Sequence, residues 1–140
     1  MQGAMYGSLF FTVALLVTSA YFLMGGLPLL VLKHDVALDA RFVRGFFDVY
    51  CKASFWAALG ACLSYALWGR WSFAAGAAVY VGIALGVRKA LLPAMQALGA
   101  QIEVSTAGAI LRFRRLHVAV LSLNFVQLVV LVWSINRLPL

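Results

Sequence analysis

The stretch of sequence that decides the fold is RFRRLHVAVLSLNFVQLVVLVWSIN, residues 112–136, in which a basic cluster precedes a long uncharged apolar run. An α-helix rises 1.5 Å per residue, so a hydrocarbon core of about 30 Å takes about 20 residues to cross. Residues 118–136 are long enough, and they predict a helix that spans a membrane. Similar uncharged runs occupy residues 1–32, 54–69 and 71–87.

The overall composition agrees with four such segments. Of the 140 residues, 65% are hydrophobic and only 11% are charged, whereas soluble domains carry about 25% charge. A small soluble fold keeps too much surface exposed to hide so many apolar side chains. The composition therefore excludes soluble, disordered and disulfide-rich secreted classes. It predicts an all-α integral membrane four-helix bundle, a single transmembrane domain over residues 1–140 with spans near 8–32, 48–69, 71–88 and 114–136 and loops at 33–47 and 89–113.

Local signals predict how these helices begin and end. Pro28 follows paired glycines, which predicts a kink or an early end of the first helix. Asp39 is a plausible N-cap for the second helix, and Gly69 with Arg70 predicts a tight turn. Residues 90–111 are moderately apolar and contain proline and glycine, which indicates an interfacial connection with one or two short helices.

The placement of the basic residues predicts an orientation. The formal net charge is +7, from 11 basic and 4 acidic residues, a balance that in a soluble protein would indicate nucleic acid. Here only Arg70 and Arg137 fall on one of the two predicted sides of the membrane. The two loops and their flanks hold the others: Lys33, Arg41, Arg44, Lys52, Arg88, Lys89, Arg112, Arg114 and Arg115. By the positive-inside rule this predicts cytoplasmic loops, both termini on the non-cytoplasmic side of a bacterial-type inner (plasma) membrane, and no nucleic-acid partner.

The third helix carries small residues at every fourth position, namely Ala74, Ala78, Gly82 and Gly86. Small residues let helix backbones approach each other closely in lipid. The favoured interpretation is packing of this stripe against the second helix of the same chain. The alternative is that the stripe forms an oligomer interface.

The last helix carries the polar residues that most invite a functional hypothesis. His117 and Asn124 lie seven residues apart and therefore on nearly the same face, and Gln127 lies about a quarter turn away. Hydrogen bonding between helices is the favoured interpretation. A ligand or proton path along this face is the alternative.

Two histidines form a second candidate site. His34 and His117 both fall near the predicted cytoplasmic boundary, and two histidines on different helices can ligate haem or a metal ion. Ordinary boundary histidines would give the same pattern, so no cofactor is expected, with haem or metal as the alternative. Arg112, Arg114 and Arg115 are expected to contact anionic lipid headgroups of the bilayer.

Catalytic signatures are missing from the sequence. There is no phosphate-binding loop, no dinucleotide fingerprint, no zinc-protease helix and no nucleophile elbow, and no predicted span contains two carboxylates. We therefore expect a non-catalytic protein, an accessory or scaffold subunit of a membrane complex, with membrane-protein partners or copies of itself. The alternatives are a small transporter or permeation unit acting as an oligomer, and a redox module using His34 and His117.

The start of the last helix, Phe113-Arg114-Arg115-Leu116-His117 followed by Asn124, resembles the corresponding helix of the transmembrane protein 205-like family. That family comprises small multi-helix membrane proteins of largely unknown function. The resemblance covers about 25 residues. It implies a four-helix fold, adds Arg115 to His117 and Asn124 as positions to test, and implies no particular reaction.

Overall fold

The computed structural model describes residues 1–31, 37–104 and 108–138, with the backbone alone at residues 37 and 103. Within these residues the chain is α-helical, which confirms the all-α part of the predicted fold class. The helices are α1 (Gln2–Leu29), α2 (Ala37–Leu67), α3 (Trp71–Gly86), α4 (Leu92–Glu103) and α5 (Ala109–Asn136), with a π-helical turn at Val87–Leu91 between α3 and α4.

Four helical segments are long and apolar enough to cross a membrane. Because α4 continues α3 through the π-helical turn, the two count as one segment. The four segments are Gln2–Leu29, Leu38–Leu67, Trp71–Ile102 and Ala109–Asn136. The described chain is therefore a four-helix fold that could span a membrane four times.

The first helix ends within two residues of its proline. Pro28 lies in the last turn of α1, and the Leu30 N–H donates to the Leu27 carbonyl, three residues back, instead of continuing the α-helical pattern. Proline lacks an N–H and crowds the preceding turn, so the helix tightens and stops. Leu29 thus ends α1 earlier than the predicted boundary at residue 32.

The second helix begins earlier than its predicted membrane span. It is helical from Ala37, inside the segment 33–47 that the sequence assigns to a loop. Asp48 forms an i,i+4 ion pair with Lys52, at 2.6 Å, and Arg88 lies 3.6 Å from the same carboxylate. Asp48 therefore connects α2 to the π-helical turn.

A tight turn joins α2 to α3, as the sequence predicts. Gly69 has φ +76°, a left-handed conformation that glycine adopts without strain. The Arg70 N–H donates to the Tyr65 carbonyl over 2.9 Å, and the Gly69 N–H donates to Ala66 over 3.0 Å. These bonds satisfy the last carbonyls of α2 and set α2 and α3 side by side in opposite directions.

The π-helical turn has a local cause. The Leu92 N–H donates to the Val87 carbonyl, five residues back, and Pro93 follows immediately in the first turn of α4. Proline cannot donate to the carbonyl four residues before it, and a one-residue widening of the helix accommodates that loss. The connection predicted for residues 90–111 thus begins as a continuation of α3.

Small residues do join α2 to α3, but only one of them belongs to the predicted stripe. The buried small residues shared by the two helices are Ala57, Ala58, Ala61, Ala74 and Ala77. The remaining stripe residues are exposed on the outside of α3: Ala78, Gly82 and Gly86. The structure therefore differs from the favoured interpretation, in which the whole stripe packs against the second helix.

Candidate functional site

Polar side chains from all four candidate spanning segments meet inside the bundle. We call this group the tyrosine cluster, and its members are Ser19 of α1, Tyr50 of α2, Tyr80 of α3, and Asn124 and Gln127 of α5. Each is at most 9% exposed. Phe22 stacks on the Tyr50 ring, with ring centroids 4.0 Å apart, and closes the cluster toward α1.

The Tyr50 hydroxyl is the centre of this cluster. It accepts from Asn124 Nδ2 over 2.9 Å and donates to Gln127 Oε1 over 3.3 Å. The Tyr80 hydroxyl lies 3.4 Å from the Tyr50 hydroxyl and 2.5 Å from Ser19 Oγ. Because the one proton of Tyr50 goes to Gln127, Tyr80 donates to Tyr50 and Ser19 donates to Tyr80. The hydroxyl donors therefore run from α1 through α3 and α2 to Gln127 of α5, while Asn124 of α5 donates back to Tyr50.

Two amide atoms of the cluster are left without a partner. Asn124 Oδ1 is fully buried and accepts no hydrogen bond from the described residues. Gln127 Oε1 accepts from Tyr50, and its Nε2 has no partner in the part of the chain that the structure describes. Asn124 Oδ1 is thus an unpaired buried acceptor, which costs free energy, whereas the Gln127 amide lies at the edge of the cluster with its Nε2 able to donate.

A second polar pair lies nearer the α2–α3 turn. The Thr12 hydroxyl donates to the Ser8 carbonyl over 2.7 Å and lies 2.8 Å from the Tyr65 hydroxyl. Since the Thr12 proton goes to the backbone, Tyr65 is the donor to Thr12. The pair joins α1 to α2, and the lone pairs of Tyr65 remain able to accept.

His117 connects α5 to the end of α1. Its side chain is fully buried, and Nε2 donates to the Gly26 carbonyl over 3.2 Å. The natural helical donor to that carbonyl would be the Leu30 N–H, which bonds to Leu27 instead. The edge of the His117 ring also meets Phe47, with centroids 5.1 Å apart. The histidine thus satisfies a carbonyl that the early end of α1 leaves free.

A lateral groove separates α3 from α5. The two helices hardly contact each other, and the space between them has a volume of about 570 Å³. Its floor includes Thr12, Tyr65, Tyr80 and Gln127, so the groove reaches both polar groups described above. We call it the α3–α5 groove.

The predicted headgroup cluster lies at the start of α5. Arg112, Arg114 and Arg115 are exposed, and Arg114 Nη2 donates to the Leu30 carbonyl over 3.2 Å. Arg115 thus lies outside the bundle, whereas His117, Asn124 and Gln127 lie inside it. The last two share the tyrosine cluster, and His117 forms a separate contact.

Of the predicted histidine pair, the structure describes only His117, because His34 lies outside the described residues. Within the described residues no group of three or more histidine, cysteine or acidic side chains could hold a metal ion. Cys51 and Cys62 are both free thiols.

The residues that sequence reasoning missed are the partners of the polar helix, above all Tyr50, Tyr80 and Ser19. A tyrosine in the middle of a predicted span was the available signal. Tyrosine is amphipathic and favours the membrane boundary, so one placed deep in a span needs a polar partner.

Comparison of the chain with protein-family models, with curated proteins and with solved structures finds no match. The class that the fold defines is therefore a four-helix protein with four candidate membrane spans and a polar interior.

Proposed function

We propose that the protein is a non-catalytic accessory or scaffold subunit, inserted in a bacterial-type inner membrane, that binds a spanning helix of another membrane protein along the outer face of α3. The observation that carries this proposal is the outward position of Ala78, Gly82 and Gly86. We call these three residues the α3 stripe.

The fold itself does not require small residues at the α3 stripe. A Cβ atom added at Gly82 or Gly86 would meet nothing within 4 Å. Glycine in a helix costs roughly 0.5–1 kcal/mol relative to alanine, and the described residues supply no compensating contact at these positions. Close approach of a second helix would supply one, because small residues allow backbone-to-backbone packing in lipid.

The polar groups of the interior support a non-catalytic role. Those of the tyrosine cluster are hydroxyls and amides bonded mainly to one another. They hold helices together and offer no carboxylate or basic side chain for acid–base chemistry.

The test is co-purification from native membranes in a mild detergent. We expect the wild-type chain to bring down a membrane protein, and the double variant Gly82→Leu with Gly86→Leu to lose it while keeping the same helical content. Gly45→Leu is the matched control, because Gly45 is also an exposed helical glycine with open space around it. Because Gly45 lies on α2, the Gly45→Leu variant should still bring down the partner protein.

Three results would contradict the proposal. They are a wild-type monomer with no co-purifying protein, a double variant that keeps its partner, and a wild-type chain that associates only with a second copy of itself.

A further inference from the structure

We propose that the α3–α5 groove binds a neutral, mainly apolar lipid whose carbonyl oxygen accepts a hydrogen bond from Gln127 Nε2. This site lies on the other side of α3 from the α3 stripe. Gly82 follows Tyr80 by two residues, which is a rotation of about 200° around the helix. The ligand site is therefore independent of the proposed partner contact.

The shape of the groove suits a small ligand that enters from the side. Its volume of about 570 Å³ lies within the roughly 300–1,000 Å³ of known ligand pockets. The rims are apolar and exposed, with Val79 on α3 at 63% and Val126 and Val130 on α5 at 57% and 54%. In a bilayer these rims face acyl chains, so a molecule dissolved in the membrane reaches the groove without crossing water.

Gln127 supplies the feature that favours a specific ligand over a disordered lipid chain. The side chain lines the groove, yet it is only 7% exposed. Its Oε1 is held by the Tyr50 hydroxyl, which leaves Nε2 as the end able to donate. A lipid methylene cannot accept that bond, whereas a carbonyl oxygen can, and a buried amide gains most from a partner where water is excluded.

The charges around the groove exclude an anionic headgroup at this depth. Arg137 is the only charged residue that lines the groove in the described part of the chain, and its guanidinium stacks over Trp133 at the mouth. Arg137 follows Gln127 by ten residues, about 15 Å along α5 at 1.5 Å per residue. The ester carbonyls of a phospholipid lie only a few bonds from its phosphate. A phosphate at Arg137 would therefore leave only methylenes beside Gln127.

Two kinds of membrane lipid carry a neutral carbonyl, and the experiment separates them. Purified protein in dodecyl maltoside is titrated with decylubiquinone, which has ring carbonyls, with dioleoylglycerol, which has ester carbonyls, and with hexadecane, which has none. The readout is the midpoint of thermal unfolding against the mole fraction of probe in the micelle, because a ligand of the folded state raises that midpoint. We expect one or both carbonyl probes to raise it and hexadecane to leave it unchanged.

Three variants locate the binding site. Val130→Trp fills the groove from a position that is not itself a member of the tyrosine cluster, and it should weaken binding at least tenfold. Val129→Trp is the matched control, since Val129 is 52% exposed on the same helix and does not line the groove, and it should bind as wild type does. Gln127→Leu removes the donor, and about a three- to tenfold loss of affinity is expected for one neutral hydrogen bond.

Any of three results would overturn the inference: hexadecane acting as well as the carbonyl probes, no response to either carbonyl probe, or an affinity that survives both Val130→Trp and Gln127→Leu. The midpoint of each variant without probe shows whether it still folds. Loss of a co-purifying partner has no bearing on these outcomes, so the two proposals fail separately.

Discussion

At the scale of single residues, the Tyr50 hydroxyl is the atom on which most of the interior polar bonds depend. Tyr50→Phe keeps the ring that stacks on Phe22 and removes only the oxygen. Asn124 Nδ2 then loses its acceptor and Gln127 Oε1 its donor. We expect the free energy of unfolding to fall by about 1–2 kcal/mol, the upper range for polar contacts between membrane helices. Reversible unfolding in detergent measures it.

The matched control for this prediction is Tyr21→Phe on α1. Tyr21 is 72% exposed and points away from the bundle, so the same loss of one oxygen should leave the free energy of unfolding unchanged. Equal stability of Tyr50→Phe and Tyr21→Phe would show that the cluster contributes nothing to folding.

The polar residues of α5 could be predicted from the sequence more easily than their partners. His117, Asn124 and Gln127 stand out because each is polar within an apolar run. The tyrosines that complete the cluster are amphipathic, so in the sequence they look like residues of a membrane boundary. Which tyrosine meets which amide depends on helix rotation and tilt, and these are set by packing between helices rather than by any one segment.

At the scale of helices, the close approach of α1 to α2 depends on Gly60 and not on Gly45. A Cβ atom at Gly60 would lie 2.5 Å from the Phe11 ring, whereas one at Gly45 would meet nothing. Gly60→Ala should therefore lower the free energy of unfolding by about 1–3 kcal/mol through overpacking. Gly45→Ala should leave it unchanged or raise it by up to about 1 kcal/mol, because alanine favours the helix. Unfolding of both variants in one detergent measures the difference, and the reverse order would contradict this packing.

The number of helices was easier to predict than their ends. Long uncharged runs report how many segments cross a membrane, because each charge buried in lipid is costly. The charged turns that continue a helix into water carry no such signal, and α2 accordingly begins at Ala37, within a predicted loop. The sequence also does not show which way the α3 stripe faces. A four-residue repeat shows that its residues share one face of a helix, but not which helix that face contacts.

At the scale of the whole molecule, contacts bring the basic segments together at one end of the bundle. Arg88 reaches Asp48 of α2, Arg44 Nη1 donates to Gln96 of α4 over 3.0 Å, and Arg114 donates to the end of α1. Arg70, in the α2–α3 turn, lies at the opposite end. For a chain with this distribution, the positive-inside rule predicts that the basic end stays in the cytoplasm.

We therefore expect single cysteines at the two ends to differ in their accessibility in intact bacterial cells. In a background of Cys51→Ala and Cys62→Ala, Arg70→Cys should react with a membrane-impermeant maleimide from outside. Lys89→Cys should react only after the cells are permeabilised, because Lys89 is exposed at the basic end. The two substitutions each remove one basic residue from opposite sides, so neither reverses the charge bias. Labelling of Lys89→Cys but not of Arg70→Cys in intact cells would mean the inverse orientation, and would show that packing outweighs the placement of charge in this chain.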